Sequence, residues 1–145
     1  MGAHHAHPSS NGHPRPGEEI AAIPEILGLG TDLCDVDRLA RELDAPERGF
    51  IPAVFSDHEQ AQCRQEPGSL AAFFAAKEAV IKSLAATGGQ GTFWQDIEIT
   101  RQGKHHAAAL KGRIRTLADT IGVRHVFVSA AQDGDYATAC AIITS

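Results

Sequence analysis

The sequence predicts an α+β domain: one long central helix packed on a largely antiparallel sheet. Three observations carry that reading. Residues 69–86 form one unbroken helical run, and the segments 123–130 and 135–143 read as strands joined by Gln132-Asp133-Gly134. Segments of this kind linked by an Asp-Gly turn make a hairpin. The periodic segments follow the order β-α-α-α-β-β-α-β-β, which suits a helix-covered antiparallel sheet better than a wound parallel one.

Composition sets the frame. A chain of 145 residues, 43% apolar and 21% charged, suits one soluble domain with a substantial core. A formal charge of −5 argues against a general nucleic-acid binder. Nothing approaches the roughly 18 apolar residues of a membrane span, and the N-terminus lacks a signal-peptide layout. Cys34, Cys63 and Cys140 match neither zinc spacing nor a disulfide framework, so a reduced cytoplasmic protein is the default. Residues 1–24 carry four of the eight histidines without apolar periodicity and read as a disordered His/Pro-rich tail. His4, His5 and His7 are therefore kept out of the site, and the domain proper is 25–145.

The elements follow in order. Ile26–Asp32 reads as a strand, with Leu27, Leu29 and Thr31 on one side and Gly28, Gly30 and Asp32 on the other. Two glycines on the Asp32 side mark close approach by a ligand or by another backbone. Asp32 itself suits either a metal ligand or the cap of the next helix, 35–44. Ser56 and Glu59 form a capping box for a short helix. Pro67-Gly68 ends that helix, and Ser69 caps the long one running to about Ala86. Residues 87–91 make a Gly-rich connector containing Gly89, 93–101 a strand, and Gly103 a turn before 105–110. A helix over Arg113–Ile121, closed by Gly122, precedes the hairpin. His105, His106 and His125 read as ordinary surface or sheet positions.

The long helix holds the candidate chemistry. Leu70, Phe73, Phe74, Val80, Ile81 and Leu84 share one face at 100° per residue, with Lys77 in its middle and Glu78 at its edge. Lys82 follows Glu78 by four residues. Two readings stand: a surface Glu78–Lys82 pair beside a snorkelling Lys77, or a carboxylate flanked by lysines that holds a divalent metal and phosphates.

The motifs GLGTDLCDVDRL (28–39), FSDHEQ (55–60), FAAKEAVIKSL (74–84) and FWQDIEI (93–99) stand in this order before the hairpin VFVSAAQDGDYATACAII (126–143). Together they resemble the holo-acyl-carrier-protein synthases, the small 4′-phosphopantetheinyl transferases, over roughly residues 26–143. The resemblance implies a Mg²⁺-dependent transfer of 4′-phosphopantetheine from coenzyme A to a serine of an acyl or peptidyl carrier protein, as in fatty acid or polyketide biosynthesis. It implies Asp32 and Glu78 as metal ligands, and Lys82 as the phosphate partner that completes the catalytic set. Ser129 and Gly89 become candidate coenzyme A contacts, and Arg38 and Arg41 the carrier-protein surface. It also implies a homotrimer with sites between subunits, and no nucleic-acid or membrane partner. Three positions depart from the family pattern: Phe73 for an arginine, Ala85-Ala86-Thr87 for a glycine-threonine-glycine turn, and Ala131 and Gln132 in the hairpin motif. They leave open a second reading, a non-transferring relative that binds a carrier protein or acts on a carrier-bound acyl chain.

Overall fold

Strand β1 (Ile26–Asp35) runs past Asp32, the end expected for it. The cap of α1 (Val36–Asp44) is therefore Asp35, whose carboxylate accepts from the Asp37 amide at 2.9 Å, and Asp32 is left inside the strand. This computed structural model describes residues 22–85 and 93–145. Most of the tail and the connector holding Gly89 lie outside them.

A short α2 (Phe50–Val54), not anticipated from the sequence, precedes α3 (Asp57–Cys63). The expected capping box is formed at α3: Ser56 Oγ accepts from the Glu59 amide at 3.2 Å, and Glu59 Oε2 accepts from the Ser56 amide at 2.8 Å. Helix α3 stops because Arg64 and Gln65 both turn left-handed, with φ of 51° and 57°. Helix α4 (Pro67–Ser83) then begins earlier than expected, with Pro67 in its first turn and no side-chain cap from Ser69. Proline suits that place, since the amide it lacks would have no helical partner. The segment 93–101 divides into a 3-10 turn, Phe93–Asp96, and strand β2 (Ile97–Gln102). Strand β3 (His105–Leu110), α5 (Gly112–Thr120), β4 (His125–Asp133) and β5 (Tyr136–Thr144) complete the chain.

The sheet order is β1-β5-β4-β3-β2, and every pairing is antiparallel. Helix α4 crosses the inner face, against β1, β5 and β4, with α1 and α3 on its far side. The sequence suggested a helix with one apolar face. Instead α4 is buried nearly all round, because helices and sheet enclose it from both sides. Its alanines admit this: Ala75, Ala76 and Ala79 meet the small inner residues Ala137, Ala139 and Ala141 of β5 within one core. A Cβ on Gly28 would lie 2.0 Å from the Ser83 carbonyl oxygen, and one on Gly30 2.0 Å from that of Ala79. What approaches the glycine-cleared strand is thus the backbone of α4. The larger core side chains, Leu39, Phe55, Leu70, Phe73, Ile97, Ile99 and Ile143, each contribute about 1.5–3 kcal/mol by burial.

The outer face of the sheet is different. Leu29, Leu33 and Phe127 are 60%, 66% and 58% exposed, and none of the described residues covers them. Leu29, Ile142 and Phe127 form one row across β1, β5 and β4.

Candidate active site

Because β1 alternates, Asp32 points to the same side as Gly28 and Gly30, toward α4. There Lys82 Nζ donates to Asp32 Oδ1 at 2.7 Å and to the Thr31 carbonyl at 3.0 Å. Lys82 is therefore paired with the strand, and the i,i+4 pair with Glu78 does not form. One turn before Lys82, half-buried Glu78 accepts from the indole Nε1 of Trp94 at 2.5 Å. The second oxygen of each carboxylate has no hydrogen-bond partner among the described residues.

Cys34 shows how the charges converge. Its thiol is pushed up to about 11, foremost by burial, against the opposing Arg38 cation and with Asp32, Asp35 and Glu78 adding to the rise. It stays protonated at neutral pH and is no nucleophile. Asp32, Glu78 and Arg38 thus all act on this one thiol at the end of β1.

Lys77 belongs elsewhere. It is fully buried, paired with fully buried Glu59 at 2.7 Å, and it donates to the carbonyls of Val54 at 2.7 Å and Trp94 at 2.8 Å. Burial lowers its pKa, and the Glu59 hydrogen bond opposes that shift. Glu59 Oε1 also accepts from the Ile99 amide at 2.7 Å, so one carboxylate caps α3, anchors β2 and neutralises Lys77. A snorkelling role is excluded: this lysine has no path to water.

On α1, Arg38 and Arg41 are both exposed. The Arg38 guanidinium lies 4.9 Å from the Phe74 ring centroid and 5.6 Å from that of Phe50, a cation–π seat that limits its motion. Arg41 forms no ion pair among the described residues. Ser129 stands apart. It pairs with Cys140 on β5, which pairs with Thr31 on β1, and this register puts it on the outer face, away from α4. The protomer does not bring Ser129 to Asp32 and Glu78.

The divergent positions also resolve. Phe73 is fully buried with its ring edge-on to His106, so it faces neither solvent nor the site. Ala85 adopts φ 49°, the left-handed conformation that glycine takes without strain, at the start of the turn where the family pattern has glycine. Gln132 lies over Gly68 in the first turn of α4. Trp94 and the Glu59–Lys77 pair were missed from sequence. The one available signal was a lysine centred on an apolar face, which requires a buried anion nearby.

As a donor set, two carboxylates with a free oxygen each and a neighbouring lysine fit Mg²⁺, which takes few protein oxygens, waters and substrate phosphate. A family model described as the 4′-phosphopantetheinyl transferase superfamily matches residues 28–141. The chain belongs to this superfamily. It is 43% identical over 124 residues to the holo-[acyl-carrier-protein] synthase of Moorella thermoacetica, covering 83% of this chain and 95% of that one. The holo-[acyl-carrier-protein] synthase of Myxococcus xanthus is 35% identical over 124 residues, with coverages of 83% and 96%. Among solved structures, the ACPS–CoA complex of Chronobacterium ammoniagenes aligns with a TM-score of 0.67 at 30% identity, covering 81% of this chain and 96% of that one.

Proposed function

We propose that this superfamily member transfers 4′-phosphopantetheine from coenzyme A to a serine hydroxyl of an acyl carrier protein, with Mg²⁺ held by Asp32 and Glu78. The observation that carries the reading is the Lys82–Asp32 contact where β1 crosses α4, with Glu78 one helical turn before Lys82. A metal held by Asp32 and Glu78 would supply positive charge that offsets the charge developing as the bond breaks. The serine oxygen forms a bond to the phosphorus bearing pantetheine, the bond to the bridging oxygen breaks, and 3′,5′-ADP leaves. The serine proton passes to a carboxylate or a bound water. Lys82, held by Asp32 but about half exposed, is free to swing onto phosphate once the carboxylate takes another partner.

Arg38 and Arg41 supply the basic face for an anionic carrier protein, and the aromatic seat of Arg38 presets one of its two charges. The uncovered sheet face supports a homotrimer, in which Ser129 would serve a site on a neighbouring copy. Three unpaired cysteines fit a reducing cytoplasmic setting, and among the described residues no helix is long and apolar enough to cross a membrane.

Incubating the full chain with coenzyme A, Mg²⁺ and an apo carrier protein should add the phosphopantetheine mass to that protein. No adduct, together with no coenzyme A binding by calorimetry, overturns the reading. Glu78→Gln should abolish transfer while leaving the fold intact. Light scattering should give a trimer; a monomer at working concentration refutes the shared site.

A further inference from the structure

Trp94 is the only tryptophan of the chain, and it is held at three points. Its carbonyl accepts from the buried Lys77 ammonium at 2.8 Å. Its ring packs against Phe74 and Phe50, with centroids 5.9 Å and 6.1 Å away. Its indole N–H donates to Glu78 Oε1. Lys77 in turn is fixed by Glu59, whose other oxygen holds the backbone of β2. A continuous set of contacts therefore runs from the ion pair in the core to one oxygen of the carboxylate at the site.

A glutamate side chain has three rotatable bonds and otherwise presents either oxygen, or both, to a cation. An indole donor removes that freedom: it engages one oxygen, orients the carboxylate plane and leaves the other oxygen outward. One outward oxygen suits Mg²⁺, which takes carboxylates singly at 2.0–2.1 Å in strict octahedra. Ca²⁺ accepts both oxygens of one carboxylate and a looser geometry. Partners that orient metal ligands typically carry 10–100-fold in metal affinity.

We propose that Trp94 is the positioning residue for Glu78: its indole N–H holds one carboxylate oxygen so that the site takes its metal through the other, favouring Mg²⁺ over Ca²⁺. This rests on the metal reading of Asp32 and Glu78. Because Trp94 is the sole indole, its emission is also a direct reporter of site occupancy.

The test titrates Mg²⁺ and Ca²⁺ into the full-length wild type, Glu78→Gln and Trp94→Phe, each with coenzyme A present, by calorimetry. Tryptophan emission is followed in the first two. The wild type should bind Mg²⁺ with a saturable change in emission at the calorimetric midpoint, and Glu78→Gln should lose both. Trp94→Phe, which keeps the aromatic packing, should bind Mg²⁺ about 10–100-fold more weakly, with a smaller loss for Ca²⁺. If the wild type shows no saturable binding, the metal reading fails and takes this proposal with it. If the wild type and Glu78→Gln differ but Trp94→Phe keeps wild-type affinity and preference, the Trp94 role alone is overturned. Should Trp94→Phe not fold, a wild-type emission that ignores bound Mg²⁺ overturns it equally.

Discussion

Lys77 and Lys82 leave the same helix, and each sets its ammonium 2.7 Å from a carboxylate oxygen. Distance makes them equivalent; surroundings make them opposites. The Lys77 and Glu59 side chains are both 0% exposed, whereas Lys82 is 51% and Asp32 15% exposed. In the interior neither charge can fall back on water, so each depends on the other. At the rim water is always a substitute partner, so the pair contributes little to stability and is free to exchange. One helix thus carries a lysine locked in the core and, a turn and a half further on, one at the rim that is free to change partners.

The sharpest way to break this contrast is Lys77→Met. It strands the Glu59 carboxylate in the core and should cost about 3–5 kcal/mol, read as a melting temperature about 10–20 °C lower by calorimetry. A loss under about 1 kcal/mol would mean that Lys77 is no more committed than Lys82. The double variant Glu59→Gln/Lys77→Met removes both charges while keeping an acceptor for the cap. In urea unfolding it should lose clearly less than the sum of the single changes, and strict additivity would disprove the coupling. Lys82→Ala reverses the pattern. Its stability should stay within about 0.5 kcal/mol of wild type, while transfer measured as kcat/KM falls roughly 10–100-fold through a lost charge-assisted contact with phosphate.

The smallest effect belongs to a third pair, Lys111–Glu98, at 2.9 Å on the surface. The Lys111 hydrogen bond, helped by His58, holds the Glu98 carboxyl below its ordinary 4.5. Between that ordinary value and the lower folded one, the unfolded chain binds more protons. This stabilisation is therefore present above about pH 4.5 and lost as pH falls. Glu98→Gln should lower stability slightly at pH 7 and leave it unchanged at the acid end, so that the acid limb of the stability–pH curve flattens a little. A pronounced change at pH 7 would mean that exposure does not sort these pairs.

The same division explains what the sequence disclosed. Strand β1, the capping box at Ser56 and Glu59, and the terminal hairpin are local devices, and all three form, though β1 runs on to Asp35 and the hairpin turns at Gly134-Asp135 rather than at Gln132-Asp133-Gly134. Asp32, Glu78 and Lys82 were proposed by motif and spacing, and Lys82 reaches Asp32 where the glycines of β1 admit α4. Reading failed where partners lie far apart in the chain. The burial of α4 on every side depends on what packs around it, which periodicity within the helix does not record. Likewise Glu59 meets Lys77, and Trp94 meets Glu78, across 18 and 16 positions that no local pattern links. Ser129 is a separate lesson, since a motif named the residue while only the sheet register showed which face it occupies.

The glycines of β1 have a mechanical consequence. At Gly28 and Gly30 strand and helix touch main chain to main chain, with no side chain between them to compress or repack. Asp32 rides on one of these two members and Glu78 on the other, so the main chains that carry the two carboxylates are held against each other. The Lys82 side chain, about half exposed, is by contrast a jointed arm. A small-molecule blocker should be shaped to a braced backbone with a single moving finger.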